Sequence, residues 1–406
     1  MPSVSRVVPN RSGPTRLPRV VWLLVVGRAV NRLGAFTLPF LTVALTDLLG
    51  ASVSAAGALM AMFGIGSIAS RLVGGWLADW LGRRTTNVLG LVLTAAARLG
   101  LAGAPSLGFA AVAIAGLGLA YEIYEPPSQA LIADVVPGPA RPAAYGLLSA
   151  SLAAAGVAAG LLAAAVGAID LRLLFVVDAA TCLGCAVLLG LALPGATRQP
   201  GPTLPRWPRA ASPWRDRRLL ALTASGVAFA AVYLQINTAL GLTLDRRGIS
   251  ASYVGLLLAA SALTIVAGQP LLRWRRFAQL DPWRAMAIGY VVLGVGLLAT
   301  GFATTLTAFA AATVLWSLGD LILLGRVYGL VADLAPAHAR AQYFSVYGLS
   351  WGVATVIGPP AGTLLLDHAG PGTLWVAAAV VCGVLAATQP ALARFVTRSR
   401  AAADPP

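Results

Sequence analysis

Apolar runs long enough to cross a lipid bilayer recur along the whole 406-residue chain, separated by short stretches that carry arginine, proline and glycine. A hydrocarbon core of about 30 Å takes roughly 20 helical residues to cross. Inside it a helix satisfies all its own backbone groups, which few other structures can do. Spans are therefore expected near 20–46, 54–78, 86–104, 108–135, 143–167 and 171–193, then 218–244, 251–272, 285–303, 306–334, 342–366 and 371–393. Composition agrees: 58% of residues are hydrophobic and only 11% charged, a balance that excludes a water-soluble chain of this length. The expected fold class is all-α integral membrane, with twelve transmembrane helices.

The formal charge of +15 could suggest a nucleic-acid partner, but the arginines alternate with the predicted loops. Arg83, Arg84, Arg141, Arg215, Arg284, Arg340 and Arg394, with the basic segments before 20 and between 198 and 218, fall on one side. Arg172, Arg246 and Arg247 fall on the other, accompanied by Asp47, Asp170, Asp245 and Asp367. By the positive-inside rule both termini are expected in the cytoplasm of a multi-pass plasma-membrane protein, with the bilayer as partner and no nucleic acid. The basic leader before residue 20 precedes an apolar run that is too long, and too interrupted by Arg28, Asn31 and Arg32, for a signal peptide. Cys182 and Cys185 form a Cys-x-x-Cys inside an apolar span with no histidine or second cysteine pair nearby, so they read as small core residues rather than metal ligands. Neither a cofactor nor a metal is expected.

The chain repeats itself. Leu131-Ile-Ala-Asp134-Val-Val-Pro137-Gly-Pro-Ala-Arg141 returns as Leu330-Val-Ala-Asp333-Leu-Ala-Pro336-Ala-His-Ala-Arg340, displaced by 199 positions, and Ser52 to Gly57 returns as Ser250 to Gly255, displaced by 198. Two anchors at nearly the same offset indicate duplication. With an even number of spans in each half, both halves enter and leave on the same side, giving two six-helix bundles related by a parallel repeat. The expected divisions are a cytoplasmic tail at 1–19, an N-terminal bundle at 20–193, a proline- and arginine-rich linker at 194–217, a C-terminal bundle at 218–393 and a tail at 394–406.

Between the second and third spans lies Gly75-Trp-Leu-Ala-Asp79-Trp-Leu-Gly82-Arg83-Arg84. Asp79, Arg83 and Arg84 sit where one apolar run ends and the next begins, and the glycines permit close backbone approach. This stretch resembles the loop between helices two and three of major facilitator superfamily transporters, with Trp80 where that family usually carries arginine. The span count and the repeat fit the same family. In span four, Gly116-Leu-Gly118, Glu125-Pro126-Pro127, Ala130 and Asp134 resemble the bacterial proton-coupled drug-efflux branch. The arginine and glutamine often found in the first half of that span, and the acid in span one, are absent here. The resemblance implies an alternating-access transporter whose spans one, four, seven and ten line a central cavity, and a gating role for Gly75, Asp79, Gly82, Arg83 and Arg84. Asp79 would then dock against the cytoplasmic start of another span.

Charges deep in the bilayer cost about 2.5–3.5 kcal/mol each even on a lenient scale, so those that persist need partners. Counting about 1.5 Å per residue from the arginine-rich side puts Arg28 level with Glu125 and Arg32 level with Glu122. These pairs are the expected proton-coupling group, with Glu125, directly before two prolines that would bend span four, as the first candidate carrier. The bland alternative is a pair of fixed ionic ties between spans one and four. Asn31, Tyr121, Gln235, Asn237, Asp320, Arg326, Tyr347 and Trp351 are candidates for contacting a small-molecule substrate. Tyr124, Trp316 and Tyr343 could add apolar surface to that pocket or simply pack, and Asp320 and Arg326 could instead satisfy each other or nearby backbone. Arg98 and Asp178 are expected to form a structural pair within the first half.

No His-Glu-x-x-His, Gly-x-Ser-x-Gly or phosphate-cradling loop is present, so an enzyme is not expected. The reading is a proton-coupled exporter of small amphiphilic compounds or drugs, functional as a monomer. An importer or symporter of a small metabolite shares every feature named, and a non-transporting sensor would differ only in carrying no flux.

Overall fold

The computed structural model describes residues 17–35, 37–167, 169–193, 212–250, 253–274, 277 and 279–403. The basic leader, most of the expected linker, Arg275, Arg276, the Ala251–Ser252 portion of the second repeat anchor and the last three residues lie outside them. The described chain is almost wholly helical. In the first half come α1 (Arg19–Leu33), α2 (Thr37–Leu49), α3 (Val53–Trp80), α4 (Arg83–Ala102), α5 (Leu107–Tyr121), α6 (Glu125–Val135), α7 (Arg141–Gly167) and α8 (Leu171–Ala192). In the second come α9 (Arg217–Thr238), α10 (Leu240–Arg246), α11 (Val254–Ala267), α12 (Gln269–Arg273), α13 (Pro282–Phe302), α14 (Leu306–Leu334) and α15 (Arg340–Ala403).

Among the described residues ten helical segments are long and apolar enough to cross a membrane. Of the twelve expected spans, the two outside that set are the first, divided between α1 and α2, and the eleventh, the N-terminal part of α15. Spans eleven and twelve run on as one helix except at Gly370, whose φ of 80° is a left-handed conformation that glycine adopts without strain. That helix also continues past 393 into the expected tail, as its alanines favour. Apolar side chains such as Ile65, Val112, Leu161 and Leu191 stand more than 70% exposed on the outside of the bundle, a surface that suits lipid and not water.

The helix starts follow local chemistry. Ser52, Ser106, Asp170, Asp216, Asp281 and Thr305 each accept a hydrogen bond from a backbone N–H of the first turn that follows, satisfying donors a helix cannot pair internally. Asp216 also receives the Arg218 guanidinium and the Tyr343 hydroxyl. Burial by itself would push its carboxyl up, but these hydrogen bonds outweigh it and hold it below its ordinary value.

Within the halves, α3 packs on α5 and α4 on α8, while α9 and α13 pack on α15. The halves meet where α7 touches α11 and α14 and where α3 touches α15. At that last crossing a Cβ on Gly75 would stand 2.6 Å from Ser345 Cβ, so the approach requires glycine.

Candidate functional site

Span four comes apart where its sequence says it should. Pro126 and Pro127 have no N–H to continue the ladder, and the chain leaves helical geometry over 122–124 before α6 begins at Glu125. The exposed ends are satisfied by neighbours. The Glu122 N–H donates to Ser70 Oγ at 3.1 Å, and Thr94 Oγ1 donates to the Ala120 carbonyl at 3.2 Å. Glu122 and Glu125 thus flank an unwound turn within the bundle.

Glu125 receives Arg28 from α1, as the depth count predicts, and accepts a second hydrogen bond from Gln129 Nε2 at 3.0 Å. The Arg28 guanidinium lies 4.6 Å over the Tyr124 ring, a geometry that favours the cation. The expected partnership of Arg32 with Glu122 is not found. Glu122 pairs with Arg71 of α3 at 3.1 Å, while Arg32 stays exposed with no ion pair among the described residues. The depth count assumed a continuous helix. Unwinding at 122–124 turns Glu122 toward α3, where Ser70 and Arg71 take its backbone and its carboxylate. The glutamate side chains retain 18% and 26% exposure at 125 and 122.

Arg98 and Asp178 form the expected pair at 2.8 Å, both buried. Arg98 also reaches Cys182 Sγ, which Asn31 Nδ2 meets at 2.8 Å, and Tyr124 donates its hydroxyl to Asn31 Oδ1 at 3.3 Å. Cys182 and Cys185 are buried free thiols.

Beside this network lies a cavity of about 310 Å³ between the halves. Arg28, Asn31, Arg32, Tyr121, Asp320 and Trp351 line it as expected, and Tyr124 joins them. Four candidates stand elsewhere. Gln235 donates to Ala231 O and to Gly358 O at 2.8 Å, tying α9 to α15. Asn237 is exposed away from the cavity, two positions further along the same helix. Arg326 donates to the carbonyls of Phe277 and Leu280 in the loop before α13, and so does not satisfy Asp320. Tyr347 is buried in an aromatic cluster, 5.8 Å from the Tyr328 ring. Trp316 and Tyr343 are likewise buried outside the cavity. Asp320 is left with Oδ1 buried and without a hydrogen-bond partner among the described residues.

The hydrogen bonds and ion pairs that join the halves cluster at the arginine-rich end. Across the halves Arg340 Nη1 lies 2.7 Å from Asp134 and Arg141 pairs with Asp333, while Arg83, from the same half as Asp134, lies 2.8 Å from that carboxylate. Arg83 also donates to the Ala337 carbonyl at 3.2 Å, and Arg84 to the Gly190 carbonyl at the end of α8. Asp79 faces Gln342, side chain and backbone, in the first turn of α15, the positive end of a helix dipole. Gly82 turns the chain from α3 to α4 with a φ of 88°.

Several site residues are missed by sequence reasoning. Arg71 stands out only as a buried charge. Its role depends on the break in span four and on Gly348, where a Cβ would stand 1.7 Å from Arg71 Nε. Tyr233 and Tyr328, which also line the cavity, carry no distinguishing signal. The cross pairs of Asp134 and Asp333 had one: each repeat copy places an acid seven residues before an arginine.

A membrane carrier is thus defined by two helical bundles, closed against each other at one end and enclosing a charged cavity between them. The chain belongs to the Major Facilitator Superfamily, whose family model matches residues 24–276 and again 219–406; it is a transporter and not an enzyme. The uncharacterized MFS-type transporter YhjO of Bacillus subtilis (strain 168) is 28% identical over 357 residues, covering 86% of each chain. The multidrug resistance protein MdtH of Cronobacter sakazakii is 27% identical over 353 residues, 85% of this chain and 86% of its own. Among solved structures, the human organic anion transporter MFSD10 superposes with a TM-score of 0.76 at 16% identity, covering 91% of this chain and 99% of that one.

Proposed function

We propose that this transporter exports small amphiphilic compounds in exchange for protons, with the arginine-rich end in the cytoplasm and bundles 20–193 and 218–393 rocking about the cavity as a monomer. The observation that carries the reading is Glu125: a carboxylate at a helix break beside the cavity, held by Arg28 and Gln129. A proton arriving on Glu125 removes the charge that holds Arg28, and Arg28, which itself lines the cavity, is then free to move. The energy difference between the paired and released forms is what could couple proton entry to a change of access. Glu122 with Arg71 is a second pair of the same kind, between the unwound turn after α5 and α3. In this reading the joined arginine-rich end makes the described state outward-facing, the state in which protons enter from outside. The multidrug resistance name of the MdtH relative points the same way.

The test uses inside-out membrane vesicles with a pH-sensitive dye and a panel of amphiphilic compounds, on wild type and on Glu122→Gln and Glu125→Gln. A compound that dissipates the pH gradient with wild type and not with Glu125→Gln supports the reading. Accumulation of a compound without proton movement would overturn it in favour of a different coupling.

A further inference from the structure

The cavity is lined by four formally charged side chains, and two of them are already neutralised. Arg28 is held by Glu125 and Arg98 by Asp178. The remaining two have no ion pair among the described residues and come from opposite halves: Arg32 at the end of α1, exposed, and Asp320 in the middle of α14, buried, with Oδ1 unsatisfied. Tyr233 of α9 lies within electrostatic reach of both, and with Tyr121 and Trp351 it supplies aromatic surface to the same cavity.

From this we propose that the transporter's substrates are zwitterions: compounds with an aromatic or apolar body that carry a cationic group to Asp320 and an anionic group to Arg32. The inference rests on the reading of this cavity as the transport site, and it is independent of how transport is energised. Its physical basis is the cost of leaving a charge unpaired once a ligand fills the cavity and displaces the water there: Asp320 is buried already, and Arg32 loses its water when the ligand enters. A monovalent cation answers Asp320 and leaves Arg32 without a partner, an anion does the reverse, and a neutral compound leaves both. A zwitterion pairs both groups and adds no net charge to the membrane interior. The volume, about 310 Å³, suits a small compound of this kind. Because the two charges belong to different halves, the same ligand would bridge the bundles, which neither monovalent form can do by ion pairing at both ends.

Binding to the purified full-length protein in lipid nanodiscs, measured by isothermal titration calorimetry with no pH gradient, separates this proposal from the proton-coupling one. The probes are an aromatic amino acid, its amide (cation), its N-acetyl derivative (anion) and its N-acetyl amide (neutral). The same four forms of an ω-amino acid with an aromatic ring between its charges provide a wider spacing. In at least one spacing the zwitterion should bind roughly tenfold or more tighter than each of the other three forms, the scale of one charge-assisted hydrogen bond. Asp320→Asn should erase the preference of zwitterion over anion while leaving that over cation, and Arg32→Gln should do the reverse. Arg32→Lys and Asp320→Glu, which keep the charges, should retain the zwitterion preference and show that the neutral variants fail through charge and not through folding. Equal binding of all four forms, a zwitterion preference that survives both neutral variants, or no binding by either zwitterion overturns the proposal. None of these outcomes bears on whether Glu125→Gln uncouples protons in vesicles.

Discussion

Asp134 is the group on which the joined end most depends, and replacing it by asparagine is the sharpest test of what holds the halves together. The substitution keeps the shape and one acceptor oxygen but removes the charge shared by Arg83 at 2.8 Å and Arg340 at 2.7 Å. The aspartate side chain is 30% exposed and the arginines 15% and 17%, so each pair belongs near the upper end of the exposed range, about 1 kcal/mol. Arg83 and Asp134 belong to the same half, so their pair survives opening, and only the Arg340–Asp134 pair, about 1 kcal/mol, counts toward the closed state; Arg83 keeps its own bond across to the Ala337 carbonyl. That corresponds to a shift of about fivefold toward the state in which the arginine-rich end is open. Double electron–electron resonance between labels at Trp80→Cys and His338→Cys would read it, since both positions are exposed and on opposite halves, while the native thiols Cys182, Cys185 and Cys382 are buried. The longer-distance population should grow in Asp134→Asn and grow less in 1 M salt, where the screening length falls to about 3 Å. Arg340→Gln should act in the same direction, and the double variant should shift less than the sum because the two residues share one interaction. Strictly additive shifts, or an unchanged distance distribution in Asp134→Asn, would refute the assignment of Asp134 as the tie between halves.

Other outcomes follow from single contacts. Glu125→Gln should abolish gradient-driven transport while sparing downhill exchange, and uphill transport at the wild-type rate would remove Glu125 from the coupling step. Gly348→Ala places a methyl group where Arg71 Nε now passes, 1.7 Å away, and should reproduce the transport defect of Arg71→Gln at normal expression; a silent Gly348→Ala would mean that the Arg71–Glu122 pair is dispensable. Asp79→Asn weakens the charge set against the first turn of α15 and should lower turnover more than substrate affinity, so a pure affinity loss would contradict a gating role. Asp216→Ala removes the cap of α9 together with its bonds to Arg218 and Tyr343 and should cost about 1–2 kcal/mol of stability, read as a lower melting temperature in detergent. Its folded carboxyl titrates below its ordinary value, so the contribution is present above the normal carboxylate range and disappears only as pH falls through the depressed value.

The spans, the repeat and the Arg28–Glu125 pairing were legible because each depends on a short-range rule: apolar length, a fixed sequence offset, and depth counted along a helix. Depth counting failed one turn away, at Arg32 and Glu122. A count of residues gives level and not direction, and direction is lost where Pro126 and Pro127 unwind the turn. Gln235 and Arg326 failed for a related reason. Polar residues on cavity-lining spans look alike in sequence whether they face the cavity or a neighbour's carbonyl, and in both cases a carbonyl took them: Gly358 for Gln235, Phe277 and Leu280 for Arg326. Asp320 reads as a cavity acid in the sequence, but its lack of a protein partner became visible only once Arg326 was seen to be occupied.

The two halves close on each other by exchange: the arginine of each repeat copy takes the aspartate of the other, Arg141 with Asp333 and Arg340 with Asp134. This is an isologous contact, the kind that two identical subunits make across a two-fold axis, so a half-length chain would have possessed the whole latch as soon as it dimerised. The two clasps are no longer alike. Arg83 now reinforces only one of them, and the carboxylate it leaves alone, Asp333, is the more open to solvent, 47% against 30%. The latch is therefore lopsided, and the Arg141–Asp333 clasp is the one that parts first when the bundles begin to swing.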